Sequence, residues 1–378
     1  MKNKILTTII LGIFIVISCK KETVKDLPEV PQLKTETILT GYQIIWGMDF
    51  LPNGDLIFGE KQGKLYRKSD DSVTEITGFP EVLSSGQGGL LDIKIHPNYS
   101  NNGWIFASFA AQKPEGGGEL RLIRFKISGN QMQNIETIFT TNEPNSWYGH
   151  YGSRIVFDEN NFLFLSLGEG GSSSYGGPNS NNRNALNPKS DWGKIHRLND
   201  DGSIPADNPE IPGNDSPTSV YSYGHRNPQG LAFHPETGEL WETEHGPRGG
   251  DEINIIEKGA NYGWPDYSLG MNYDGTNISS GHNAEGITAP LHSWTPSIGI
   301  CGMTFISGNK FGMWNGNLLV SGLVSQKVHR CVVEGNTIIE KEPILENQGR
   351  VRNVKQGPDG FIYVSLENPG RIIQIQPE

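Results

Sequence analysis

Seven short islands of this 378-residue sequence gather side chains that move protons or hold anions, most of them beside glycine. They are Gly86-Gln87-Gly88-Gly89, Gly149-His150-Tyr151-Gly152, Leu167-Gly168-Glu169-Gly170-Gly171 and Tyr223-Gly224-His225-Arg226-Asn227-Pro228. Further along stand Glu244-His245-Gly246-Pro247-Arg248-Gly249-Gly250-Asp251-Glu252, Gln326-Lys327 and Arg350-Val351-Arg352. Histidine changes charge near neutral pH and serves as a base, and guanidinium forks hold carboxylates bidentately. Taken singly, each island has a plainer reading. A His beside Gly is more often a turn residue, Lys327 fits surface charge, and Arg350 and Arg352 alternate, so on a strand they share a face that is usually solvated. No GxGxxG joins a strand to a helix, which argues against a dinucleotide site. With no CxxC pair and no HExxH, a zinc site is disfavoured.

The elements that must carry these islands repeat. A turn followed by a bulky β-rich run occurs six times: Pro52-Asn53-Gly54, Asn101-Asn102-Gly103, Glu159-Asn160-Asn161, Glu236-Thr237-Gly238, Trp314-Asn315-Gly316 and Pro358-Asp359-Gly360. Each precedes a strand such as Leu56-Ile57-Phe58 or Phe361-Ile362-Tyr363-Val364, the turn residues supplying positive φ and the branched and aromatic residues favouring strand. Spacings between successive turns are 49, 58, 77, 78 and 44 residues. Just under 60 residues per unit accommodates a four-stranded blade with loops, so the fold class is all-β, a six-bladed β-propeller. An irregular pair of β-sandwiches is the alternative. The two long intervals hold residues 168–217 and 246–290, rich in Gly, Ser, Asn and Asp. Long loops of this kind in a compact domain are usually functional, and in a propeller they are expected over one mouth of the channel.

Taken together and in order, Gln87, His150, Glu169, Arg226-Asn227, Gly246-Pro247, Lys327 and Arg350/Arg352 resemble the soluble quinoprotein glucose dehydrogenases and aldose sugar dehydrogenases. The likeness runs from about Thr37 to Ile375. Its most specific segments are Ser222-Tyr223-Gly224-His225-Arg226-Asn227-Pro228-Gln229-Gly230-Leu231, Glu244-His245-Gly246-Pro247 and Gly250-Asp251-Glu252-Ile253-Asn254, continuing to Asn261-Tyr262-Gly263-Trp264-Pro265. The shorter bacterial aldose dehydrogenase branch looks nearer than the glucose-specific one, whose extended loops are missing, which favours a monomer.

The resemblance implies pyrroloquinoline quinone (PQQ) and Ca²⁺ as cofactors. It assigns Gln87, Arg226, Asn227, Tyr273, Trp294, Lys327, Arg350 and Arg352 to cofactor binding. The carbonyls of Gly246 and Pro247 would ligate a catalytic Ca²⁺, and Glu252 with the Tyr262 carbonyl a structural one, oxygen donors suiting a hard cation. His150 would be the base that takes the aldose C1–OH proton, Glu169 would orient it, and Arg226 would stabilise the oxyanion developing on the cofactor. The implied reaction is aldose oxidation at C1 to a lactone. With no haem-attachment CxxCH in the chain, electrons would leave to a separate quinone or cytochrome. Two other readings share the architecture: a non-redox carbohydrate- or ligand-binding propeller, which would lack the cationic trio Lys327, Arg350 and Arg352, and a calcium-dependent lactonase-type hydrolase, which would not need it.

Bulk properties set outer limits. There are 31 basic and 42 acidic residues, for a net charge of −11, with no basic runs, which disfavours nucleic acid and anionic membrane faces. Forty-eight glycines and 23 prolines argue against a helix bundle. At the N-terminus, Lys2 and Lys4 precede an apolar run from Ile5 to Ile17 ending in Ser18-Cys19. This is the pattern of a secretory signal, too short to span a bilayer, and Val16-Ile17-Ser18-Cys19 resembles the bacterial lipobox. The expected organisation is therefore a lipoprotein signal at 1–18, a tether lipidated on Cys19 at 19–36, and a propeller at 37–378. Lys20 after the Cys favours the outer membrane, the propeller facing the periplasm or cell surface and touching the membrane only through lipid. Cys301 and Cys331 would then sit where a disulfide is permitted; two buried free thiols fit equally well.

Overall fold

The computed structural model describes residues 31–171, 180–214, 216–279, 281–282 and 284–378. The signal segment, Cys19 and most of the expected tether lie outside these residues. No helix among the described residues is long and apolar enough to cross a membrane.

Six four-stranded antiparallel sheets account for the strands. The first strand of each blade is Ile45–Phe50, Leu90–Ile95, Ile155–Phe157, Pro228–Phe233, Ile300–Phe305 and Arg350–Gln356 in turn. These six contact one another in sequence, and the sixth contacts the first, so they ring a central channel. The expected six-bladed propeller is the fold found. Each of the six sequence turns joins the first to the second strand of its blade. Gly54, Gly103, Asn161, Gly238, Gly316 and Gly360 all have φ between 64° and 92°, the left-handed region that glycine and asparagine tolerate.

Burial follows from this arrangement. A blade is covered on both faces by its neighbours, so second strands are buried throughout: Leu56–Glu60, Leu163–Leu167, Leu240–Glu244 and Leu318–Gly322. That is why several of them read as continuous apolar runs rather than alternating ones. The core is accordingly divided into six clusters, one at each junction between adjacent blades. Outer strands face water on one side and alternate, as Thr337–Glu346 does.

The ring closes through its two chain ends. Leu33–Tyr42 pairs antiparallel with Gly370–Pro377 as the fourth strand of the last blade. The propeller thus begins at Leu33, not at residue 37, because closure needs the N-terminal segment as a strand. Cys301 and Cys331 are buried free thiols, held on the first and third strands of the fifth blade.

Since every blade is an antiparallel meander, turns between first and second strands gather at one end of the channel, here the lower. Connections entering a first strand, and those between second and third strands, gather at the upper end. Residues 168–171, 180–193 and 245–250 are of the second kind, as expected. Residues 199–219 instead join third to fourth strands. The segment 257–291 does too, yet it returns upward: Asn261 bridges Tyr223 at the top of the preceding blade, and Met271 pairs with Arg248.

Candidate active site

The upper mouth holds a cavity of about 460 Å³ lined by residues from all six blades, within the range of small-molecule sites. Of the residues singled out in the sequence, Gln87, His150, Arg226, Asn227, Gly246, Pro247, Tyr273, Arg350 and Arg352 line it together.

His150 is the best-organised group. Its Nδ1 lies 2.9 and 2.8 Å from the two carboxylate oxygens of Glu169, and Glu169 is fully buried. A carboxylate accepts, so Nδ1 carries the ring proton and Nε2 is left as the basic nitrogen. The backbone is strained at this point, with φ of 55° at Tyr148 and 40° at His150, and such strain persists only where surroundings over-determine it. They do so here. Gln87 accepts the His150 N–H at 3.0 Å and donates its own backbone N–H to the Tyr148 carbonyl at 2.8 Å. Buried Asn145 accepts from Trp147 and Tyr148 and donates to the Gly149 carbonyl. Gly168 supplies the approach, since a Cβ there would collide with the His150 carbonyl. Asn227, 2% exposed, accepts the Gly152 N–H at 3.1 Å and ties the same loop to the fourth blade.

The cations come from three directions. Arg350 and Arg352 stand two residues apart on the innermost strand of the last blade, and both donate to one carboxylate, Glu367, at 3.0 and 2.7 Å. Burial alone would raise the Glu367 pKa, but Arg352 and then Arg350 hold it below the usual carboxylate value. Arg226, 4% exposed, donates to the His245 carbonyl at 2.9 Å, and its buried Nε has no hydrogen-bond partner among the described residues. Lys61, at the turn after the second strand of the first blade, also lines the mouth. The sum is a positive potential. The His245 imidazole on the same wall is held well below its ordinary pKa by burial, then by Arg352 and Arg226.

Two residues expected here do not line the cavity. Lys327 opens the third strand of the fifth blade, directly opposite Gly322 and Glu346, and its Nζ is 2.7 Å from Glu346. At about 4.8 Å per strand, the third strand stands roughly 10 Å out from the first, and Leu323 and Val324 line the mouth instead. Trp294 ends the fourth strand of the fourth blade, packed edge-to-face on His292 at 4.4 Å with Lys341 over its ring. It is not among the cavity-lining residues either.

Behind Gly246 and Pro247 is a second cavity of about 10 Å³, large enough for one small ion or water. Glu244, Glu252, Tyr262 and His282 line it. Among the described residues the Gly246 and Pro247 carbonyls accept no hydrogen bond, which leaves both oxygens for a cation. Beneath, the Asn254 amide donates to Glu242 at 2.9 Å and reaches Glu244 and Glu252 at 3.4 and 3.5 Å. Burial raises the pKa of all three carboxyls, and His225, Glu242 and Glu244 are spaced closely enough to share one ion. Glu242 was missed in the sequence, although Glu-x-Glu on one strand and Glu-x-Asn on the next mark a shared face. Lys61 was missed as well. Its signal is positional, because it follows its blade's second strand as His245 does in the fourth blade, and as Glu169 does one residue later in the third.

Comparison with known proteins agrees with this geometry. Residues 42–374 match the glucose/sorbosone dehydrogenase family. The aldose sugar dehydrogenase YliI of Escherichia coli strain K12 is 35% identical over 88% of this chain and 90% of its own. The apo-form structure of the soluble aldose sugar dehydrogenase from Escherichia coli superposes with a TM-score of 0.86 at 32% identity, covering 92% of this chain and all of that one. A PQQ-bound aldose sugar dehydrogenase from Streptomyces coelicolor superposes at 0.73 with 27% identity over 93% and 99% of the two chains. With its propeller, its mouth and its family match in agreement, the chain is a member of the glucose/sorbosone dehydrogenase family.

Proposed function

We propose that this protein oxidises aldose sugars at C1 to lactones at the upper mouth, with PQQ and Ca²⁺ as its cofactors, and delivers the electrons to a separate carrier. The observation that carries the reading is the buried Glu169 carboxylate gripping His150 Nδ1 with both oxygens at the rim of a mouth rich in cations. The residues present fit a flat tricarboxylate. Two guanidiniums share one carboxylate, the Arg226 Nε has no hydrogen-bond partner among the described residues, and the cavity is open and large enough. Arg350 and Arg352 would hold its carboxylates, with Arg226, Asn227 and Tyr273 beside it and the Gly246 and Pro247 carbonyls ligating Ca²⁺. Glu252 and the Tyr262 carbonyl would hold the structural ion in the small cavity behind. When bound, PQQ supplies the two-electron acceptor that takes hydride from the sugar.

The chain's own part is proton transfer and positioning. His150 Nε2 takes the C1–OH proton as the C1–H bond gives up its electron pair, and Glu169 stabilises the resulting imidazolium while fixing the tautomer. Gln87 and Asn227 hold the strained loop so that the ring needs no reorientation during the step. Arg226 stabilises negative charge developing beside it. Attachment through lipid on Cys19, at the outer membrane, belongs to the same proposal and rests on the N-terminal sequence.

The test is reconstitution of the leaderless protein with PQQ and Ca²⁺, followed by aldose-dependent reduction of an artificial dye. Turnover requiring both additions is the expected result. Tight PQQ binding without turnover on a broad sugar panel would reject the substrate class, and no PQQ binding would reject the redox reading.

A further inference from the structure

The distribution of cations around the mouth leads beyond the arrangement expected from sequence. A flat tricarboxylate calls for more positive charge than the Arg350–Arg352 pair offers, since Glu367 already neutralises one of the two. Lys327, the lysine expected to add to it, is committed to Glu346 on the outside of its blade. Lys61 is differently situated. It lines the mouth, and its Nζ donates to the Gly86 carbonyl at 2.9 Å, a neutral acceptor that brings no countercharge of its own. Gly89 makes room for it, since a Cβ there would collide with the Lys61 stem and carbonyl. Arg352 and Glu367 are its charged neighbours: burial lowers the Lys61 pKa, Arg352 lowers it further, and Glu367 opposes them.

We infer that Lys61, and not Lys327, is the lysine that joins the arginines of the mouth, a ligand-binding residue that contacts an anionic group of the bound cofactor together with Arg350 and Arg352. The inference rests on the PQQ reading of the site. One consequence is a proton linkage. Binding an anion beside a lysine whose pKa is depressed raises that pKa, so PQQ binding takes up a proton on the alkaline side and the affinity falls as pH rises there.

The experiment is an equilibrium titration with PQQ, read by quenching of intrinsic fluorescence, on the wild type and on Lys61→Met, Lys61→Arg and Lys327→Met, each first checked by thermal melting. Lys61→Met keeps the aliphatic stem and removes the charge. A charge-assisted contact is worth about tenfold to a hundredfold in affinity, so Lys61→Met is expected to weaken PQQ binding by that factor and to abolish the alkaline proton uptake. Lys61→Arg should recover most of the loss, and Lys327→Met should stay within about twofold of wild type. If Lys61→Met binds as the wild type does, or if Lys327→Met loses as much, the assignment of Lys61 is overturned while the cofactor reading stands. An arginine variant as weak as the methionine one would overturn the charge contact in favour of loop shape. A folded wild type that does not bind PQQ removes the cofactor reading itself.

Discussion

The channel has two mouths, built from the same six inner strands, and they treat charge differently. The lower one holds a cavity of about 330 Å³ lined by Asp92, Lys94, Arg154, Asn353 and Lys355 among others. Every cation there reaches a carboxylate, although two lysines share one. Lys355 and Lys94 lie 2.6 and 3.6 Å from Asp49, and Arg154 lies 2.8 Å from Asp92. The remaining carboxylate oxygens are used to stitch blades: Asp49 accepts the Ile95 N–H and Asp92 the Ile155 N–H, both at 2.9 Å. At the upper mouth two arginines divide one carboxylate, while among the described residues the Lys61 and Arg226 side chains hydrogen-bond carbonyls and no carboxylate. Buried charge that is locally paired holds a structure together, and buried charge left over is an anion site. The comparison teaches which end of a pseudo-symmetric channel is the working one before any ligand is considered.

The largest effect expected belongs to the upper mouth. His150→Gln keeps the hydrogen bond to Glu169 but cannot take a proton. Turnover of the PQQ-loaded enzyme should fall about 10²- to 10⁴-fold, with PQQ affinity little changed. A fully active variant would remove His150 as the base. The lower mouth should give the converse. Asp92→Asn strips the carboxylate from Arg154, whose side chain is buried against Trp46, and breaking such a pair costs about 3–5 kcal/mol of stability. Urea denaturation should show that loss, while the folded variant keeps its PQQ affinity. A variant that instead loses PQQ binding in its folded state would mean that the two mouths are not separable.

The same contrast explains what was legible in the sequence. The six turns could be read because each requires a left-handed residue at one place in every blade, and glycine or asparagine marks that place. His150, Glu169, Arg226, Asn227 and the two arginines were legible through family motifs, and the geometry brings them to one cavity, with Glu169 behind His150. Lys61 and Lys327 were not distinguishable on the same terms. Both are lysines near a turn, one just after a second strand and the other opening a third. Which of them reaches the channel depends on strand register, decided by the pairing of Gly322 with Lys327 and of Glu60 with Lys64. The position of Trp294, outside the cavity lining, was not legible for the same reason, since a place on a fourth strand carries no signature in its neighbours. The buried Glu242 was hidden because a carboxylate inside a blade contradicts the apolar pattern that identifies the strand.

A smaller effect tests whether the lower mouth is held by charge at all. Burial alone would raise the Asp49 pKa, yet Lys355 and then Lys94 bring it down from 3.8 to about 2. The folded state therefore binds fewer protons than the unfolded one between these values. The contribution is fully present above the unfolded pKa and is lost as pH falls through the folded one. At 1.36 kcal/mol per unit the difference is worth about 2 kcal/mol. Unfolding free energy measured from pH 5 down to pH 2 should decline, and Asp49→Asn should start lower at pH 5 and decline less steeply. If the two slopes coincide, other carboxylates carry the acid limb. Lys94 and Lys355 would then be less firmly compensated than their distances imply, and the lower mouth would join the upper one as a place where positive charge is left over.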